Sequence, residues 1–366
     1  MTAIPAEALS LIRWLTEAGL AAYPEDRLLT GFCDRALAAG LPLWRVIAGL
    51  DTLHPVLGGR VFEWLRGRSE IRVSNWERAD TDLGEEKWRA SPLYRAYEAN
   101  GVCRVRLPPQ GPTGYTVTDE LRDQGATDYL AVFVRFDDGG LGGIDGIFGA
   151  FATDRPDGFS AADIALIEAV LPQLGLVLRS LSNAHIAESL VETYLGRDAG
   201  RRVLRGHIER GVAERMDAVL WFSDLQGFTR ITDTLPTDEV IPLLNDYADA
   251  IASAVHEQGG QVLKFMGDGM LAIFDAAERE AACCRALDAY EAARDGVAAL
   301  NVRRGGDGRA VTEFYLGLHV GEVFYGNIGS ADRLDFTVVG PAVNEVSRIA
   351  SMCRSVDRHV VMSSDF

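Results

Sequence analysis

The chain has 366 residues, enough for two or three domains that each bury a core, and its 48% hydrophobic and 24% charged residues are ordinary for a globular protein. A formal charge of −17 argues against a nucleic acid or an anionic membrane surface as partner, because both are polyanions. An anionic ligand such as a nucleotide would then need metal ions or local basic residues. No apolar run approaches the roughly 20 residues of a membrane span, and the first residues do not resemble a secretory signal. Five cysteines without paired spacing predict reduced thiols and a cytoplasmic protein. Of 36 basic residues only Lys87 and Lys264 are lysines.

Taken in chain order, residues 6–65 read as helical, in stretches around Leu9 to Leu20, Leu28 to Ala38 and Trp44 to Leu50. From Ile71 to Thr153 the pattern changes to short strands and turns. The stretch 103–107 alternates, 108–114 is a loop, and 129–136 is a buried strand whose glycine-rich turn (137–146) feeds 147–153 as a hairpin. His54 reads as a structural or surface histidine. A helix then starts at Ser160, with Asp163 three positions on as an acidic variant of the capping box. Its residues Ile164, Ile167, Leu171, Leu174, Leu178 and Leu181 recur at spacings of three and four, interrupted by Pro172. That seam fits either a helix packed on its own sheet or a dimer helix. The small sheet with terminal helices resembles a GAF-type sensor domain, here residues 1–180, with an unknown small ligand or protein as its partner. Residues 181–216 read as a helical linker with a basic face, Arg197, Arg201, Arg202, Arg205 and Arg210.

From 217 onwards the rhythm is regular. A strand (218–223) precedes a helix (237–258), a hairpin (261–274) with Gly267, Asp268 and Gly269 at its tip, and a helix (277–298). A loop (303–309), two strands within 311–329, a helix (341–353) and a strand (359–362) complete the pattern. This order predicts an antiparallel sheet with helices mainly on one face.

The strand at 218–223 runs four hydrophobic residues into Asp224. If it lies beside the hairpin, Asp224 and Asp268 meet at one sheet edge, where two carboxylates repel unless a divalent cation holds them. Hard oxygen ligands favour Mg²⁺ or Mn²⁺ over zinc. Gly227 permits a tight turn before a helix start whose N–H groups suit phosphate oxygens.

The stretches FSDLQGFT, KFMGDG and TVVGPAVNEVSR, in this order and spacing, resemble the class III nucleotide cyclase catalytic domain over residues 217–366. The resemblance implies a ferredoxin-like βαββαβ core, an α+β fold, and two metal ions per active site. Asp224, Asp268 and the Leu225 carbonyl would hold them, activating the ribose 3′-hydroxyl and neutralising the triphosphate. Gly227, Phe228 and Thr229 would take the phosphates, Asn344 would orient the ribose, and Arg348 would stabilise charge on the α-phosphate. Lys264 and Thr337 would read the purine. Lysine donates to adenine's ring nitrogen and a hydroxyl accepts from its amino group, whereas guanine reverses the pattern and leaves a donor facing a donor, at about 1–3 kcal/mol. ATP is therefore the expected substrate, cyclic AMP the product, and an adenylate cyclase the expected enzyme. The family's site is shared between two catalytic domains, so one chain with both residue sets implies a homodimer through the catalytic domain and linker helices. Family members continue beyond the point where this sequence stops, which predicts that the domain is truncated at Phe366. A guanylate cyclase and a non-catalytic nucleotide-binding signalling module are the alternatives.

Overall fold

The computed structural model describes residues 5–77, 86–136 and 144–366, so most of the glycine-rich turn at 137–146 lies outside the described residues. The chain forms two compact units, Met1–Leu190 and Val191–Phe366.

The first unit opens with α1 (Ala6–Leu20) and α2 (Glu25–Ala38), followed by strands β1 (Arg45–Asp51), β2 (Leu57–Leu65) and β3 (Arg72–Glu77). Helix α3 (Pro92–Ala99), strand β4 (Val102–Arg106) and helix α4 (Thr116–Asp123) precede the hairpin β5 (Asp128–Arg135) and β6 (Gly146–Thr153). The six strands pair in the order β3-β2-β1-β6-β5-β4. Side chains alternate along β5. Leu130 and Val132 join α1, α2 and the next helix in one core, while Tyr129, Ala131 and Phe133 pack with α3 and α4 in another. Within 6–65, expected to be helical, residues 45–51 and 57–65 instead form strands β1 and β2, and α3 and α4 were not anticipated. His54 is structural: its Nδ1 accepts the backbone N–H groups of Val56 and Leu57, both at 3.1 Å.

Helix α5 (Ala161–Leu195) starts with the predicted capping box: the Ser160 hydroxyl accepts from the Asp163 N–H and the Asp163 carboxylate accepts from the Ser160 N–H at 2.7 Å. Of the seam residues, Ile167, Leu171, Leu174 and Leu178 are buried in the core of their own unit, so the sheet uses this face up to Leu178. The expectation that no segment could span a membrane needs correction. Helix α5 is long and apolar enough to do so by length and composition, and burial of its apolar positions on the sheet accounts for that hydrophobicity equally well.

The second unit begins with the end of α5 and α6 (Arg197–Leu204). The helical reading of 181–216 therefore holds to Leu204; the chain then leaves the helix and enters β7 (Ala213–Leu225). Short α7 (Phe228–Thr234), long α8 (Thr237–Glu257), the hairpin β8 (Gln261–Met266) and β9 (Gly269–Asp275), and α9 (Arg279–Gly306) follow. Strands β10 (Phe314–Gly329) and β11 (Leu334–Val339), helix α10 (Pro341–Val356) and strand β12 (Val360–Met362) complete the unit. The sheet order is β11-β10-β7-β9-β8, antiparallel throughout, with β12 parallel to β10.

Alternation along β7 divides the core. Val219 and Trp221 pack with α8 and α9, whereas Ala218 and Leu220 pack with α6, β11 and α10. Helices thus cover both faces, not mainly one. Helix α10 approaches β10 at Gly317, where a Cβ would lie only 2.6 Å from the Ala350 backbone nitrogen. The two edge strands β8 and β11 also come into contact, with Leu263 packing into the cluster that holds Phe336 and Val338.

Candidate active site

The site grows from the end of β7. Its interior residues Val219, Leu220 and Trp221 are fully buried, which pins the strand, and the register carries Asp224 to the rim opposite Gly269 of β9. Asp268 precedes that glycine in the hairpin turn, so the two carboxylates share one edge as the spacing predicted. Asp224 is pushed up to about 6. Burial is the main cause, the Asp268 charge and hydrogen bond add to it, and the Arg354 guanidinium opposes them. Arg354 lies on α10 with its Nη2 3.2 Å from Asp224 Oδ2. The motif reading does not single it out: a basic residue in the last turn of a helix is common, and sequence spacing carries no trace of β7 lying beneath it.

The donor chemistry fits a hard divalent cation. Two carboxylates crowded together with one raised well above its usual range mark a place where added positive charge is favourable. Among the described residues no group of three or more His, Cys, Asp or Glu side chains gathers, so Asp224 and Asp268 are the pair such an ion would find.

Below the pair, the loop after β7 is tied down. The Gln226 N–H donates to the Glu313 carbonyl at 2.7 Å and its carbonyl accepts from the Thr312 hydroxyl at 2.7 Å. Tyr247 of α8 accepts the Thr312 N–H and bonds Asn301 of α9, whose amide donates to the Thr312 carbonyl at 2.7 Å. Gln226 Nε2 donates to the Tyr315 hydroxyl at 2.8 Å, and Tyr315 sits across from Asp224 in the β7–β10 ladder. Sequence reasoning missed this network because its members are ordinary polar residues spread over α8, α9, β10 and two loops. Next comes Gly227 in the left-handed region, φ +67°, capping α7; Phe228 packs partly on the core and Thr229 is exposed. A cleft of about 440 Å³ lies behind the loop, lined by Gln226, Gly227, Arg230, Ile231, Asn301 and Thr312.

The remaining predicted residues stand apart from the carboxylates. Leu225, by contrast, follows Asp224 directly and its side chain is buried. Lys264 is half-buried on β8 beside a bulge and has no ion-pair partner among the described residues. Thr337 on β11 is buried, and its hydroxyl is closed to solvent without a hydrogen-bond partner. On α10, Ala342, Val346, Ile349, Ala350 and Cys353 form the buried stripe. At about 100° per residue, Asn344 and Arg348 project from the opposite side, and Arg354 lies about 120° round from Arg348. Both Asn344 and Arg348 are exposed and, among the described residues, lack side-chain partners. Within one chain, then, Arg354 reaches the carboxylates and Arg348 does not.

Residues 212–365 match the adenylate and guanylate cyclase catalytic domain family. An adenylate cyclase from Anabaena cylindrica is 29% identical over 157 residues, covering 43% of this chain and 31% of that protein. Adenylate cyclase 1 of Rhizobium meliloti is 28% identical, over 43% of this chain and 24% of that one. The chain spans about a third or less of the length of these curated relatives. Among solved structures, a guanylyl cyclase is 34% identical over 38% of this chain and 71% of its own, with a TM-score of 0.36. The adenylyl cyclase CyaB from P. aeruginosa is 27% identical over 38% of this chain and 74% of its own, with a TM-score of 0.37.

Proposed function

We propose that this chain, whose residues 212–365 belong to the adenylate and guanylate cyclase catalytic-domain family, converts ATP to 3′,5′-cyclic AMP and pyrophosphate at a homodimer interface. The observation that carries the reading is the pairing of Asp224 and Asp268 at one sheet edge with Asp224 pushed up to about 6. The strand order β10-β7-β9-β8 supports a ferredoxin-like core for the domain.

Asp224, Asp268 and the Leu225 carbonyl would hold two Mg²⁺ or Mn²⁺ ions. When bound, such ions supply Lewis-acid activation of the 3′-hydroxyl and neutralise charge on the polyphosphate. The protein's own part is positioning and charge. The anchored loop at 225–229 would present backbone N–H groups to phosphate oxygens, Asn344 would orient the ribose, and Arg348 would meet charge developing on the α-phosphate. Because Arg348 and Asn344 point away from their own carboxylates, a second copy would bring them to the site. Lys264 would donate to the adenine ring nitrogen. Thr337 supports the adenine reading through its unpartnered hydroxyl, which a ligand's amino group would satisfy. Residues 1–180 would act as a GAF-like sensor, supported by a six-stranded sheet with α1, α2 and α5 on one face. Five free thiols support a cytoplasmic location.

The test is cyclic nucleotide formation from ATP and GTP with Mg²⁺ or Mn²⁺. ATP should be preferred by about 10²-fold, and Lys264→Glu should erase much of that preference, because a carboxylate accepts from guanine's N–H. Equal turnover of both nucleotides by the unmutated protein removes the adenine assignment. A preference for GTP would favour the alternative of a guanylate cyclase.

A further inference from the structure

Asp224 is contested by two groups. Asp268 repels it, while Arg354 holds its Oδ2 at 3.2 Å. The guanidinium also lies over the Tyr315 ring, 5.6 Å from the centroid, and Tyr315 is itself fixed by Gln226 directly across the ladder from Asp224. A cation over an aromatic face and against a carboxylate has a defined seat. Arginine cannot shed its proton, so this charge leaves the site only by rotation of the side chain. Rotation is open to it, because the Arg354 side chain is 61% exposed.

A Mg²⁺ or Mn²⁺ ion on Asp224 would sit about 2 Å from a carboxylate oxygen. With Arg354 in its present seat, that oxygen would also carry a guanidinium, placing three like charges within a few ångströms. Both cannot bind Asp224 at full strength.

We propose that Arg354 is a resident counter-ion of Asp224 that a divalent cation must displace, so that it sets the cation concentration at which the site fills. In the metal-free protein it keeps the two carboxylates together; on cation binding it swings off Asp224. This positioning role rests on the two-carboxylate metal reading above. It belongs to the same chain as the carboxylates, unlike the role assigned to Arg348.

The experiment is Mn²⁺ binding to the full chain without nucleotide, followed by loss of the free-ion electron paramagnetic resonance signal at fixed ionic strength and pH 8. Wild type, Arg354→Gln, Arg354→Lys and Asp268→Asn are compared. Arg354→Gln should bind Mn²⁺ about fivefold more tightly or better, and Arg354→Lys should stay close to wild type because the charge is kept. Unchanged or weaker binding by Arg354→Gln, with Mn²⁺ still bound by wild type and lost in Asp268→Asn, overturns the counter-ion role alone. Absence of any Mn²⁺ uptake that Asp268→Asn removes overturns the metal reading and this role with it.

Discussion

Asp224 is where burial and charge oppose function most directly. Its folded-state pKa, about 6, lies above the usual carboxylate value of about 3.9. A group raised in this way contributes stability that is fully present below the unfolded pKa and is lost as pH rises through the folded one. Asp224→Asn should therefore raise the melting temperature in chelator at pH 8, and the gain should vanish below about pH 4; a lower melting temperature at pH 8 would contradict the electrostatic picture. The same sign governs cation uptake. The ligand must be deprotonated, so Mn²⁺ affinity should climb as pH rises through about 6 and level off above it, as titration calorimetry would show. Thr337 presents a related conflict. Its buried hydroxyl lacks a partner, so Thr337→Val should stabilise the unliganded protein by about 1 kcal/mol while narrowing the ATP-over-GTP preference. Unchanged stability and unchanged selectivity would together remove Thr337 from both roles. The carboxylate pair was legible because a strand of core residues ending on an acid is an anomaly within a few letters. Arg354 was not, because its partner is 130 residues away in sequence.

At the scale of elements, sequence patterns were readable where one face was dry and the other wet. Strand β1 misled because it lies between β2 and β6 with buried residues on both faces, so it shows a near-continuous apolar run in place of alternation. Residues 311–329 read as two strands, yet Gly317 serves the close approach of α10 and β10 runs unbroken for 16 residues. Helix α9 runs on into the expected loop, as far as Gly306, because Arg304 folds into the core, donating to the Ala310 carbonyl at 2.8 Å and pairing with Asp246. The start of α5 was legible from Ser160 and Asp163 alone. Burial works to raise the Asp163 carboxyl, but hydrogen bonds from the Ser160 N–H and hydroxyl and from Arg155 outweigh it, and the net direction is down. A depressed carboxylate contributes stability above its unfolded pKa that is lost as pH falls through the folded one. Asp163→Ala should cost about 1 kcal/mol at neutral pH. In urea melts the gap from wild type should close as the pH drops below about 4; a gap that persists in acid would assign the loss to packing instead.

At the scale of the molecule, the question is why one chain carries both of the proposed residue sets yet does not bring them together. Asn344 and Arg348 stand on the face of α10 opposite its buried stripe, and the carboxylates lie on the flank that Arg354 occupies. No rotation of side chains alone carries Arg348 around the helix to its own Asp224. The second unit also leaves Phe265, Met266, Phe324, Val339 and Met352 between 41% and 56% exposed, apolar surface that a second copy could cover. If two copies pair symmetrically, each site takes carboxylates from one chain and the Asn344–Arg348 helix from the other. An Asp224→Ala chain and an Arg348→Ala chain, each inactive alone, then complement. Random exchange makes half of the dimers mixed, and a mixed dimer keeps one intact site of two, so the mixture should recover about a quarter of wild-type activity. The measurement is cyclic AMP formation after unfolding and refolding the differently tagged chains together, with mixed dimers verified by tandem affinity capture. Mixed dimers that form and stay inactive would place both sets of residues in a single chain's site, and would require α10 to turn by about 120° from the orientation seen here.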